Sequence, residues 1–154
     1  MSNDILLSAD LLQPYSLKNS RFVFDLRRPE RYFKLNYFLG RIEFSVDGVA
    51  VGPTSANVAI LGFALDLKSI LNQLNQPGEV KLCSMLNEQD IRLARDESSD
   101  MIVIEPVWRD YVVIVMYQDI LAAADRFLQG LLDDLSLKFP QLVENDLYPA
   151  WRAL

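Results

Sequence analysis

A chain of 154 residues is the size of one folding unit, and its 51% apolar and 23% charged composition is that of a globular protein, not a disordered one. It has no histidine, one cysteine (Cys83) and a formal net charge of −6. That inventory removes Ser-His and Cys-His dyads, zinc sites built on histidine or several thiolates, and any disulfide within the chain; carboxylate, lysine, tyrosine or arginine chemistry remains, with at most a hard cation.

No apolar run reaches the roughly 18 to 20 residues that a bilayer crossing needs, and Met1 to Asp10 has no basic region ahead of its apolar residues. Neither a membrane span nor an export signal is expected. Cys83, in "VKLCSML", sits among strand-forming residues where a buried, inert thiol is expected. A nucleophilic Cys83 would need an activating base, and the usual partner is missing. The expected location is cytoplasmic.

In chain order, residues 1 to 20 read as an irregular or helical lead-in punctuated by Pro14 and Asn19-Ser20. "RFVFDL", Arg21 to Leu26, has strand composition, and Pro29 then interrupts "RRPERYFKLNYFLG". The basic run Arg27 to Lys34 has guanidinium forks suited to a phosphate or carboxylate, against the plainer reading of a solvated loop with an internal Arg-Glu pair. "RIEFSVDGVAV" alternates Ile42, Phe44 and Val46 against Arg41, Glu43 and Ser45, and Asp47-Gly48 is a hairpin dipeptide. Val58, Leu61, Leu65, Ile70 and Leu74 then follow helical spacing, with Ser55 or Asn57 as N-cap and an end before Pro77-Gly78.

Strands are predicted at Glu79 to Leu86, Ile91 to Asp96, Met101 to Trp108 and Asp110 to Met116; their short links make an antiparallel meander. The nearly continuous apolar run Val112 to Met116 predicts a central strand covered on both faces, or by a helix on one. Asp119 is placed as the cap of a long helix with an apolar stripe of Ile120, Ala124, Phe127, Leu128, Leu131 and Leu135 and an acidic outer face of Asp125, Asp133 and Asp134. Pro140 ends it. The tail, residues 140 to 154, has Leu142, Leu147, Tyr148 and Trp151 spaced to dock on the core, while Pro149 argues against a regular helix there. The reading is α+β: an antiparallel sheet of about five to seven strands, hairpin and meander, packed against two main helices, as one domain over residues 1 to 154.

Charge is unevenly placed. Residues 1 to 78 carry eight basic and seven acidic side chains, whereas residues 79 to 154 carry seven and fourteen. An acidic half repels a phosphate backbone and attracts a basic partner, so nucleic acid is not the expected ligand; the plainer alternative is charge kept for solubility. No phosphate-cradling glycine motif occurs. "DESSD", Asp96 to Asp100, has oxygen ligands for Ca²⁺ or Mg²⁺ but lacks the glycine and terminal glutamate of a calcium loop, and reads as a polar turn. Glu105 and Asp110 flank Trp108 and are weighed as an acid/base pair, an arrangement also ordinary in a charged chain. Trp108, Tyr148 and Trp151, each near an arginine, are candidate anchors for a partner, against core closure by the tail.

The order of hairpin, helix, antiparallel strands and long C-terminal helix, carried by "GRIEFSVDG" (Gly40 to Gly48) and "FALDLKSILNQL" (Phe63 to Leu74), resembles small bacterial immunity proteins of contact-dependent inhibition and other polymorphic toxin systems. The resemblance spans roughly residues 40 to 139. It implies a non-catalytic cytoplasmic protein that occludes a cognate toxin domain, in many such proteins a basic nuclease, with no cofactor and no metal, as a monomer or homodimer. The surface expected to bind is Asp96, Glu97, Asp100, Glu105, Trp108, Asp110, Asp133 and Asp134. The basic segment Arg27 to Lys34 departs from that pattern. The alternative is a small ligand-binding or adaptor domain, as a monomer or homodimer, using the sheet face away from the helices; a carboxylate-dependent enzyme comes third.

Overall fold

The computed structural model describes residues 2–12, 38–55, 57–83 and 89–154. The predicted strand at Arg21 to Leu26 and the basic run Arg27 to Lys34 lie outside these residues, as does the end of the strand predicted at Glu79 to Leu86.

Alternation in "RIEFSV" produces strand β2 (Leu39–Val46), whose Ile42, Phe44 and Val46 are buried while Arg41 and Glu43 face out. Asp47 at φ 50° and Gly48 at φ 83° turn the chain into β3 (Val49–Ala50), the double positive-φ geometry that tightens a two-residue hairpin. On its other side β2 takes β1 (Ile5–Leu11), running antiparallel from Ile5 opposite Val46 to Leu11 opposite Gly40. Residues 5 to 11 are therefore a strand, not an irregular lead-in. Leu6, Ser8 and Asp10 face outward and Ile5, Leu7, Ala9 and Leu11 pack on the core, an alternation hidden because an apolar Leu6 stands on the outer face. Gly40 is required at this crossing, since a Cβ there would collide with the carbonyl of Asp10. A short β4 (Val58–Ala59) pairs with the start of β2 and completes a four-stranded antiparallel sheet.

Helix α1 (Ile60–Gln73) leaves β4 without a turn. Its N-cap is Ala59, with no side-chain cap, while the Ser55 hydroxyl accepts the Asn57 N–H at 3.1 Å. Neither Ser55 nor Asn57 caps the helix, because pairing of β4 carries the chain straight into its first turn; the Phe38 carbonyl takes the Ile60 N–H at 3.1 Å. "ILGFALDLKSIL" is apolar on almost every side, the mark of a helix enclosed by other elements. Even Lys68 is buried, donating at 2.6 Å to the Leu154 main-chain oxygen and lying 3.6 Å from the Asp125 carboxylate.

The meander β5 (Gly78–Leu82), β6 (Ile91–Arg95), β7 (Met101–Pro106) and β8 (Val113–Met116) forms a second four-stranded antiparallel sheet in that spatial order. The strands thus divide into two sheets where a single one was expected. Val112 to Met116 supplies an edge strand, not a central one: Val113 and Val115 point into the core, while Val112 and Ile114 are 51% and 54% exposed. A continuous apolar run has no phase, so its two faces could not be told apart. Cys83, just past β5, is exposed, contrary to the buried thiol expected, because the strand ends at Leu82.

Helix α2 (Tyr117–Lys138) follows β8 directly, with Met116 as N-cap. Asp119 lies inside the first turn and accepts the Asn3 N–H at 2.8 Å, so it ties the N-terminal segment to the helix instead of capping it. The predicted stripe from Ile120 to Leu135 is buried. The helices pack on each other, and each also touches both sheets: α1 meets β2 and β5, and α2 meets β1 and β8. One core cluster runs from Phe38 to Trp151. A 3₁₀ turn (Pro140–Glu144) and helix α3 (Tyr148–Ala153) lie on it through Leu142, Tyr148 and Trp151, while Leu147 stays exposed. Pro149 sits in the first turn of α3, where its missing N–H has no helical partner to lose.

Candidate functional site

The second sheet has two unlike faces. Leu82, Ile91, Leu93, Ile102, Ile104, Val113 and Val115 belong to the core. The opposite face carries two cross-strand rows, Glu79–Ala94–Val103–Ile114 and Lys81–Arg92–Glu105, with Met101 opposite Met116. Arg92 ties the two rows to each other: it donates to Glu105 in its own row and, at 3.4 Å, to Glu79 in the other. The hydrogen bond and charge of Glu105, helped by Glu79, hold the Arg92 guanidinium above its ordinary pKa. Ile114 ends the first row at the margin of this face, Val112 just ahead of β8 is likewise exposed, and Val107 is exposed in the turn that follows β7.

Six of the eight residues predicted to bind a partner belong to this sheet. Asp96, Glu97 and Asp100 form the β6–β7 turn at one end, where Asp100 pairs with Arg95 at 3.3 Å and the Ser99 hydroxyl accepts the Met101 N–H at 3.0 Å. Glu105 stands on the outer face, held by Arg92. Trp108 and Asp110 are in the β7–β8 turn at the other end, about 20 Å away along a six-residue strand. Asp110 is exposed, but Trp108 is half-buried against the core with its indole N–H shielded and without a hydrogen-bond acceptor among the described residues, so it anchors the turn inward more than it offers a surface. Asp133 and Asp134 are apart from this group, about 21 Å along α2 from Asp119. Asp133 receives a hydrogen bond from Arg152, which also donates to Gln129 and to the Tyr148 hydroxyl, so it secures the tail. Tyr148 and Trp151 likewise close the core.

Sequence reasoning missed Asn3. Its amide oxygen accepts the Met116 N–H at 2.9 Å, its amide nitrogen donates to Asp47 at 2.9 Å, and its backbone N–H goes to Asp119. Asp47 also accepts the Asp4 N–H at 2.8 Å, and these two bonds, the backbone one first, hold its carboxyl below the ordinary range. Asp4, Asp47 and Asp119 therefore gather beside the end of β8. No signal in the sequence links positions so far apart.

Among the described residues there is no group of three or more histidine, cysteine or carboxylate side chains placed to hold a metal ion, and no helix long and apolar enough to cross a membrane. The β6–β7 carboxylates are committed to a turn and an ion pair. Comparison of the chain with protein-family models, with curated proteins and with solved structures finds no match.

Proposed function

We propose that this chain is a non-catalytic inhibitor of the immunity-protein kind, which binds a basic toxin domain in the cytoplasm and occludes its working surface. The observation that supports this best is the second sheet, where Val107, Val112 and Ile114 are exposed and acidic turns contain Asp96, Glu97 and Asp100 at one end and Asp110 at the other. A face of mixed charge with exposed apolar side chains along one margin gives a partner both apolar and polar contacts, and exposed carboxylates speed encounter with a basic one. Acidity of the C-terminal half and the missing imidazole point the same way. Occlusion needs no bond making, so the role asks only for affinity and coverage.

The test is co-expression with the product of the gene immediately upstream. That product is expected to be toxic alone, harmless with this chain, and to co-purify as a complex whose association slows as salt rises. A harmless upstream product that forms no complex sinks the reading. The same face would serve a homodimeric adaptor, which solution sizing of the isolated chain would reveal.

A further inference from the structure

The two edges of the second sheet are built differently. On the outer face at the β5 edge stand Glu79 and Lys81, both exposed, the charged guards that usually keep an edge strand from pairing. The β8 edge has no such guard: its outward side chains are Val112, Ile114 and Met116.

Backbone phase shows which β8 groups face outward. The Tyr117 N–H donates to the Asp100 carbonyl at 2.7 Å, so positions 113 and 115 share the hydrogen-bonded phase toward β7, while 112, 114 and 116 turn their N–H and C=O groups away. Met116 agrees, since its N–H goes outward to Asn3. The next outward donor is the Ile114 N–H, which has no partner among the described residues. At the Met116 end stand Asp4, Asp47 and Asp119, none of them in an ion pair among the described residues; Asp110 stands at the other.

We infer that β8 is a docking edge that receives an extended basic segment of the partner by backbone pairing at Ile114, with lysine or arginine side chains reaching the carboxylates at its ends. The inference rests on the proposed inhibitory role and names the chemistry of its partner. Apolar contact with Val112 and Ile114 sets the register, and charge complementarity favours a basic strand over a second copy of this −6 chain.

A capped hexapeptide alternating lysine and valine is titrated to millimolar concentration into the ¹⁵N-labelled full chain at low salt. Amide shifts centred on Ile114 and Val112 are expected, weakened about tenfold by Ile114→Lys, which restores an edge guard, and lessened by Asp4→Lys. Both side chains are exposed, so neither variant should disturb folding. A peptide with alternate amides N-methylated should not bind, nor should one with glutamate in place of lysine.

Absence of shifts at β8, equal binding by Ile114→Lys, or a free chain that sizes as a dimer dissolved by Ile114→Lys would each overturn the inference. A toxin complex indifferent to Ile114→Lys would overturn this docking edge while leaving the inhibitory role intact. A peptide that binds β8 in a protein with no toxin partner would do the reverse.

Discussion

The Arg95 guanidinium lies 4.3 Å from the centroid of the Tyr117 ring, stacked between the end of one helix and the start of the other. The same guanidinium donates to the carbonyls of Leu74 at 2.8 Å, Asn75 at 3.2 Å and Ser99 at 3.2 Å, and to Asp100 at 3.3 Å. It therefore closes the C-terminal carbonyls of α1 and holds the β6–β7 turn against them. Arg95→Ala is expected to cost about 2–3 kcal/mol in chemical denaturation, because several carbonyls lose a charged donor at once. Arg95→Lys should recover only part of this, since an ammonium cannot reproduce a planar fork.

Beneath the guanidinium, the Tyr117 hydroxyl donates at 2.7 Å to the Leu71 carbonyl inside the core. Burial pushes the phenol above its ordinary value of 10.0, and the Arg95 charge offsets only part of that. Folding thus favours the protonated form, and its contribution is full below pH ~10, then lost as pH rises through the higher folded value. Tyr117→Phe should lower stability by about 1 kcal/mol at neutral pH and flatten the alkaline fall in a pH series of denaturation curves.

For Asp47 the sign is opposite. Its carboxylate is held below 3.8 by the Asp4 N–H and the Asn3 amide, so the contribution is present above the unfolded value and lost as pH falls through the folded one. Carboxyl titration by NMR should give a midpoint below 3.8, and Asn3→Ala should move it upward. Asp47→Asn should keep the hairpin, because asparagine tolerates the positive φ, while Asp47→Val should strain it.

Exposure of Cys83 predicts ready access of reagents to its thiol. Ellman's reagent should label one thiol per chain without denaturant, and Cys83→Ser should change stability by less than about 0.5 kcal/mol. Slow labelling that needs denaturant would contradict the placement of Cys83 outside the core.

Elements with a clear period were legible in advance: Ile42, Phe44 and Val46 against Arg41 and Glu43, the Asp47-Gly48 turn, and the stripe from Ile120 to Leu135 all occupy the faces that their spacing requires. Long-range pairing decided the rest. Residues 5 to 11 become a strand only because β2 lies beside them, and a helix that leaves a strand without a loop has no use for Ser55 or Asn57. Asp119 looked like a cap because the sequence could not show Asn3 beside it. Carboxylates of the second sheet could be picked out by composition, but their division between two turns, and the separate work of Asp133 at the tail, follow from topology alone.

Pairing of β1 with β2, and the reach of Asn3 to Asp119 and Met116, set a demand on the order of assembly. A chain leaving the ribosome presents Ile5–Leu11 long before β8 exists, so the bonds of Asn3 to Met116 and Asp119 must wait until most of the polypeptide has been made, whereas its bond to Asp47 need not. Closing loops of that length is entropically unfavourable before any contact rewards it, which makes folding slow relative to a helical bundle of equal size. During synthesis the apolar edge of β1 depends on early capture by the β2 hairpin to escape pairing with a neighbour.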